Sequence, residues 1–348
     1  MPRTPKLASD LTTAVRRALF WPSATTRMTD AEFLTIANEL IGGDLYPALK
    51  ESRGDLLTSV WDIPLHHGSA FDEPTGYPMP DQGLIPVESV HYIGGDGQEH
   101  PLERVDEFEY HRWMARDSWT STVQRPKYFA FRGGHLHVLP HPQTAETGAR
   151  VRVRMLARPL KLAAYASPCY YVRINADPSL QSGYVRFSVV DAGFLSGAWG
   201  TNPGTYDLIA LSVAPPHIPV DWYAAANTVI NEASDYIEVA TSNWTRGATQ
   251  TAVPGRASGS DFIVANYQTP IIQLPEEAYK TLLDGVVADV AGTLKDRDKA
   301  QRYDKRYQEG LEKLAMKVAP RAQGQPEVLV NHGSSTRLRM NGGWRYGG

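Results

Sequence analysis

The residue pattern predicts a mixed α+β fold: a helical bundle built from N- and C-terminal helices, interrupted by a β-rich sandwich or barrel region and followed by an extended C-terminal tail. Three observations carry this expectation. Apolar residues recur at helical spacing up to residue 53 and again over 271–320. Between those stretches the period falls to two, in short runs separated by Gly, Pro and Asn clusters. Beyond residue 320 neither period persists. The segments read as 1–53 (helices), 54–164 (loop and β-hairpin region), 165–270 (β-rich insertion), 271–320 (helices) and 321–348 (tail).

Ser9 and Asp10 are suited to cap a first helix, with Leu11, Val15, Ala18 and Leu19 on one face and Trp21-Pro22 ending it. Thr29 to Glu32 is a capping box, in which a hydroxyl and a carboxylate exchange bonds with first-turn amides. Phe33, Ile36, Ala37, Leu40 and Ile41 continue that helix. Gly42-Gly43 reads as its break, with Leu45 to Ser52 resuming through Pro47.

Gly54 to Gly83, rich in Gly, Pro and His, reads as a long loop. Strands are expected at 87–92, closed by a Gly94–Gly97 turn, and at 151–155, where Arg152 and Arg154 oppose an apolar face. Residues 105–116 read as helical, and 127–139 as a hairpin about Gly133-Gly134. Further short strands are expected at 170–174, 184–190, 206–213, 236–240 and 261–267. At Pro275 helical period returns, with a missing N–H and two Glu residues suited to a helix start. Leu282 or Leu283, Val286, Val287, Val290 and Leu294 make one apolar stripe. Tyr303, Tyr307, Leu311, Leu314 and Val318 make a second after Asp296, which can cap the next helix.

The chain has 348 residues, 42% hydrophobic and 21% charged, with a net charge of −3. That balance fits a largely globular chain and does not demand nucleic acid as a direct ligand. A single cysteine, Cys169, excludes an intramolecular disulfide and a cysteine metal cage, and fits folding in a reducing cytosol. No stretch approaches the ~20 apolar residues of a membrane span.

Catalytic patterns are missing: there is no Gly-x-Ser-x-Gly, no P-loop and no His-Glu-x-x-His. His135-x-His137 has a real metal-ligand spacing, with His141 four residues on, but Leu136 and Val138 hold the apolar face and no carboxylate is near in sequence. An outward-facing pair is the simpler reading, and no metal or other cofactor is expected. The tail is locally basic and aromatic. Arg321, Arg337, Arg339 and Arg345 oppose Glu327 alone, and Trp344 and Tyr346 lie near its end. Such a segment either stays a functionless terminus or orders on a partner.

Four stretches resemble the head-to-tail adaptor (connector) proteins of tailed bacteriophages. They are Thr29 to Leu40; Val87 to Ile93 with Gly95 to Gly97 and Pro101 to Val105; Tyr128 to His141 followed by Val151 to Pro159; and Gln273 to Arg321. The resemblance implies a non-enzymatic virion protein at the head–tail junction, made in the host bacterial cytoplasm. It implies a ring of copies, commonly a dodecamer, through whose lumen genomic DNA passes. The implied partners are the portal protein, the tail nozzle or tail tube proteins, tail fibres and further copies of the chain, with no membrane. Arg321, Arg337, Arg339, Trp344, Arg345 and Tyr346 would then anchor the tail on the portal. Val290, Leu294, Tyr303, Tyr307, Leu311 and Leu314 mark the ring-forming helices, whose lateral faces suit head-to-tail contacts that close. The competing expectation is a tail-associated carbohydrate-binding or hydrolytic protein with the β region as its active part, resting on 8 Trp, 17 Tyr and the histidine strand.

Overall fold

The computed structural model describes residues 5–20, 28–64, 77–78, 87–114, 125–132, 135–140, 149–164, 171–177, 179–181, 184–189, 208–223, 231–232, 236–240, 261–265 and 268–316. It is a mixed α+β structure with several sheets, none of which closes into a barrel among the described residues. No described helix is long and apolar enough to cross a membrane.

Helix α1 (Ala8–Ala18) begins earlier than the expected Ser9–Asp10 cap. Leu7 holds the N-cap position, and Asp10 Oδ2 accepts its amide at 2.9 Å. Both expected capping residues thus lie inside the first turn, where a carboxylate still complements the helix dipole. Helix α2 (Asp30–Leu40) has the expected capping box. Thr29 N–H donates to Glu32 at 2.6 Å and Glu32 N–H donates to the Thr29 hydroxyl at 3.3 Å. Bonds from the Thr29 backbone, then its hydroxyl, hold the exposed Glu32 carboxyl below its ordinary range.

The expected break at Gly42-Gly43 does not occur. Ile41–Leu45 forms a π-helical turn that runs directly into α3 (Tyr46–Leu57). Tyr46 N–H reaches back five residues to the Ile41 carbonyl. Pro47 explains the wide turn: it has no N–H to bond four residues back, and its ring crowds that carbonyl in a regular α-turn. Nor is Gly54 to Gly83 a long loop where it is described. Helix α3 continues to Leu57, and the strands β1 (Thr58–Pro64) and β2 (Tyr77–Pro78) follow. Buried Trp61 and Ile63 alternate on β1, and a full-length antiparallel partner outweighs the local Gly and Pro content.

The chain continues through β3 (Val87–Ile93), β4 (Glu99–Pro101), β5 (Glu103–Arg104), α4 (Glu107–Met114), β6 (Tyr128–Arg132), β7 (His135–Leu139), β8 (Arg150–Leu156) and β9 (Lys161–Leu162). Then come β10 (Tyr171–Arg173), β11 (Ser179–Gln181), β12 (Tyr184–Ser188), β13 (Leu208–Leu211), β14 (Pro219–Tyr223), β15 (Asn231–Glu232), β16 (Tyr236–Ala240), β17 (Phe262–Ala265) and β18 (Gln268–Thr269). Strand orders are β1-β8-β3-β4, β2-β7-β6-β5, β10-β17-β13-β14 and β11-β12-β16-β15, with a short parallel β9–β18 pair. The Gly94–Gly97 turn and the β6–β7 hairpin form as expected, and Gly97 takes φ 77°, a value glycine tolerates freely. One apolar cluster gathers Val151 and Val153 of β8, Leu136 and Val138 of β7, and Ile209 and Phe262 of β13 and β17. Three sheets therefore share a core that runs across residues 54–164 and 165–270.

A second apolar cluster belongs to the helices. Helices α5 (Glu276–Thr293) and α6 (Arg297–Met316) follow β18. Leu282, Val286, Val287, Val290 and Ala291 of α5 are buried among Leu11 and Val15 of α1, Phe33 and Ala37 of α2, Leu45, Leu49 of α3 and Leu314 of α6. The two clusters meet at a polar seam. Ala8 N–H donates to the Pro270 carbonyl at 2.7 Å, and Ile272 N–H to the Lys6 carbonyl at 2.9 Å. Asn38 of α2 exchanges two 2.8 Å bonds with the Leu162 backbone of β9. Gln273, 5% exposed, accepts the Leu160 amide at 2.5 Å and donates to the His217 carbonyl at 2.6 Å. Seam backbone groups that would otherwise be buried unpaired are met by neutral amides.

Two glycines set how closely the helices approach. A Cβ at Gly310 of α6 would lie 2.6 Å from Thr281 Oγ1, and one at Gly285 of α5 would lie 2.9 Å from both Leu40 and Tyr307. Adding a methyl recovers about 1 kcal/mol of helix propensity, against about 1–3 kcal/mol for overpacking. Gly310→Ala is therefore expected to destabilise by about 1–2 kcal/mol in urea unfolding, with Thr281→Ala restoring most of it in a double-mutant cycle. Gly292→Ala, where nothing lies within 4 Å, is expected to stabilise by up to about 1 kcal/mol.

Candidate functional site

The α5–α6 hairpin brings together the side chains on which the sequence reading placed most weight. Pro275 holds the α5 N-cap position, with Glu276 and Glu277 in the first turn. At the other end Lys295 adopts φ 63°, its N–H bonds the Gly292 carbonyl at 3.0 Å, and Asp296 N–H bonds the Ala291 carbonyl at 2.9 Å. This paired closure satisfies carbonyls of the last turn and reverses the chain. Asp296 then caps α6 as expected, accepting the Lys299 amide at 3.3 Å.

The two helical stripes turn inward. Val290 and Leu314 are buried in the helical cluster, Tyr307 is buried against Gly285 of α5, and Leu294, Tyr303 and Leu311 pack against the cluster half-buried. In this structure these six side chains join the chain's own helices to one another. The face of α6 left to solvent is charged and carries, among others, Arg302, Lys305, Arg306, Glu309 and Glu312. The six tail residues Arg321, Arg337, Arg339, Trp344, Arg345 and Tyr346 lie outside the described residues. So do Val318, Trp21-Pro22, Cys169 and His141.

Polar chemistry concentrates at two places on the hairpin. At one, Tyr307 Oη donates to Asp44 Oδ2 at 2.8 Å, across the π turn. Burial and then the bond to Asp44 push the phenol well above its ordinary range. Beside it, burial and then the like charges of Asp304, Glu39 and Asp44 raise the Asp289 carboxyl. Three carboxylates, from the π turn, α5 and α6, thus converge around one phenol, with Glu39 of α2 acting on Asp289.

At the other place, a groove of about 440 Å³ runs between α5 and the C-terminal half of α6. Glu277, Lys280, Asp284, Arg306, Glu309 and Lys313 line it, with Thr281 and Gly310. Asp284 is the buried member among the charged ones, 7% exposed. Burial raises its carboxyl above the ordinary value, with Arg306 and Lys280 opposing the shift from farther off.

The sheets present different features. Arg152 makes a two-point bond to Asp62, at 2.8 and 3.0 Å, and reaches Glu99 at 3.3 Å. Arg154 bonds Glu99 at 3.2 Å, and His91 Nδ1 lies 3.1 Å from the same carboxylate. Arg152 and Arg154 do oppose the apolar face, as the alternation indicates. The acidic partners come from β1 and β4, far off in sequence, so no local signal could have found them. On β7, His135 is exposed and His137 Nδ1 lies 3.3 Å from Tyr110 Oη, with the two imidazole centroids 6.5 Å apart. Among the described residues no group of three or more His, Cys, Asp or Glu side chains is placed to hold a metal ion.

No protein-family model matches the chain, and no curated protein matches it.

The Tyr307–Asp44 bond and its acidic surroundings make opposed contributions. Tyr307→Phe is expected to cost about 1–2 kcal/mol, within the range for a partly exposed bond to a charged acceptor. Asp304→Asn removes a like charge and is expected to raise the urea midpoint at low salt, with the gain fading at 1 M salt, where charges are screened within ~3 Å.

Proposed function

We propose that this chain is a structural adaptor of a tailed-bacteriophage virion, forming a ring that joins portal to tail and passes DNA. In this reading the five α-helices of residues 8–57 and 276–316 act as a bundle that forms the ring wall. The sheets act as a sandwich facing the periphery or the tail, and residues 321–348 dock on the portal. The observation that carries the reading is the α5–α6 hairpin. It buries its apolar stripes within the chain while leaving a long, mixed-charge face on α6 and a basic, aromatic segment beyond it. A charged face suits heterologous contacts between copies, which close into a ring when the rotation permits. Lateral contacts then fall to that outer face rather than to Val290, Tyr307 or Leu314. A basic segment with aromatic anchors suits an acidic partner surface on which it gains order.

The test is the mass of the purified chain with and without a cognate portal, measured by native mass spectrometry or single-particle imaging. The expected outcome is a closed ring, or monomers that close into one on the portal. A chain ending at Pro320 is expected to lose portal binding while keeping the helical circular dichroism of the full chain. Unchanged portal binding by that shortened chain would rule out the docking role.

A further inference from the structure

We propose that the turn at His217 is an acid-released latch, which holds the sheets to the helices while its imidazole is neutral. The turn joins β13 to β14. Ser212 N–H donates to the Ile218 carbonyl at 2.9 Å, and His217 N–H to the Ala214 carbonyl at 2.8 Å. His217 takes φ 57°, in the left-handed region that a side chain of this size occupies when its surroundings hold it there. Two contacts hold the ring. Its Nδ1 donates to the Ser212 carbonyl at 3.0 Å, and Phe262 of β17 meets it nearly perpendicular, at 73° with centroids 5.8 Å apart. The residue is 3% exposed.

The backbone of the same residue carries the latch. Its carbonyl accepts Gln273 Nε2 at 2.6 Å, and Gln273 Oε1 accepts the Leu160 amide at 2.5 Å. Gln273 lies between β18 and α5, next to Ile272, whose N–H bonds the Lys6 carbonyl just ahead of α1. A turn between two strands thus fixes the side chain that ties the sheets to the lead-in of both helices. If the turn moves, Gln273 loses an acceptor inside the seam, where an unpaired amide is costly.

The imidazole supplies the trigger. A carbonyl only accepts, so Nδ1 carries the proton and the neutral ring has none on Nε2. Proton uptake there creates a cation with a second N–H. Among the described residues no hydrogen bond or ion pair reaches Nε2. Lys6, Glu276 and Tyr279 line a cleft of about 60 Å³ together with His217, and Glu276 is not within ion-pairing distance of the ring. On the β17 side, Asp261 accepts the Val213 amide at 3.1 Å. Burial outweighs the bond to Ser212 and holds the imidazole below its ordinary value. A group depressed in this way favours the closed turn fully above about pH 6.5, the ordinary histidine value, and progressively less below it. The raised carboxyls of Asp284 and Asp289 have the opposite sign, so acid tightens the helical cluster while it loosens the seam. The latch stands whether or not the chain is a virion protein.

Hydrogen exchange of the full chain, followed by NMR from pH 7 to pH 5, tests this. Protection of the Leu160 amide, corrected for the intrinsic rate, is expected to fall several-fold, by no more than about tenfold per pH unit, the limit for one proton. Val153 of β8 and Val287 of α5 are expected to keep theirs. His217→Asn tolerates the left-handed backbone and keeps a donor for Ser212 without titrating, and its Leu160 protection is expected to be independent of pH. The native chain gives a second reading that needs no variant. The ring proton of His217 is expected to titrate below the ordinary histidine value, and the loss of Leu160 protection to level off where it does. Leu160 protection that ignores pH in the native chain would overturn the proposal, as would the same loss in His217→Asn. So would a His217 titration at or above the ordinary value, or loss of Val287 protection at the same pH, which marks unfolding of the whole molecule.

Discussion

Helix α5 must be covered on nearly every side, and that requirement organises the molecule. Its Leu282, Val286, Val287, Val290 and Ala291 are all but inaccessible to solvent, and burying side chains of this size is worth about 1.5–3 kcal/mol each. No single neighbour can supply that cover. Helices α1 and α2 take one side, α3 and the π turn another, and α6 the rest. The glycines follow from the same demand. A helix enclosed this tightly needs neighbours at close range, and Gly285 and Gly310 remove the side chains that would hold them off.

A core of this kind puts the difficulty at its margins. Where the helices meet the sheets, backbone groups of β9, of residue 160 and of the turn at His217 would face apolar surroundings. Asn38 and Gln273 answer them with carboxamides, each offering a donor and an acceptor without a charge to desolvate. The π turn resolves a similar tension within one helix. Pro47 forbids a regular turn, and one wider turn lets α2 and α3 run on as a single continuous cover.

Much of the helical framework was legible in the residues. The Thr29–Glu32 capping box, the Pro275 start, the Asp296 cap and both apolar stripes are local patterns, and local physics decides them. The misreadings share a cause. Gly42-Gly43 looks like a break because glycine is a poor helix former, yet surrounding burial of Ile41 and Leu45 overrides that preference. Strand β1 hid in a Gly- and Pro-rich stretch because its stability comes from β8, some ninety residues away. The Arg152–Asp62–Glu99 cluster and the buried, unpaired Asp284 were invisible for the same reason, since each exists only once distant segments meet. The stripes themselves were read correctly as apolar, but period alone cannot say whether an apolar face meets its own chain or another copy.

The split helical core also dictates an order of assembly. Residues 8–57 are synthesised well before 276–316, and at ~5–20 residues per second the interval is roughly 10–40 s. During that time the apolar faces of α1, α2 and α3 have no permanent partner, while the hairpins of the intervening sheets can close from nearer neighbours. Helices α1 to α3 are therefore made ahead of the partner they depend on and are among the last satisfied. Their nascent surface is what a cellular chaperone would meet, and release would wait on the arrival of α5.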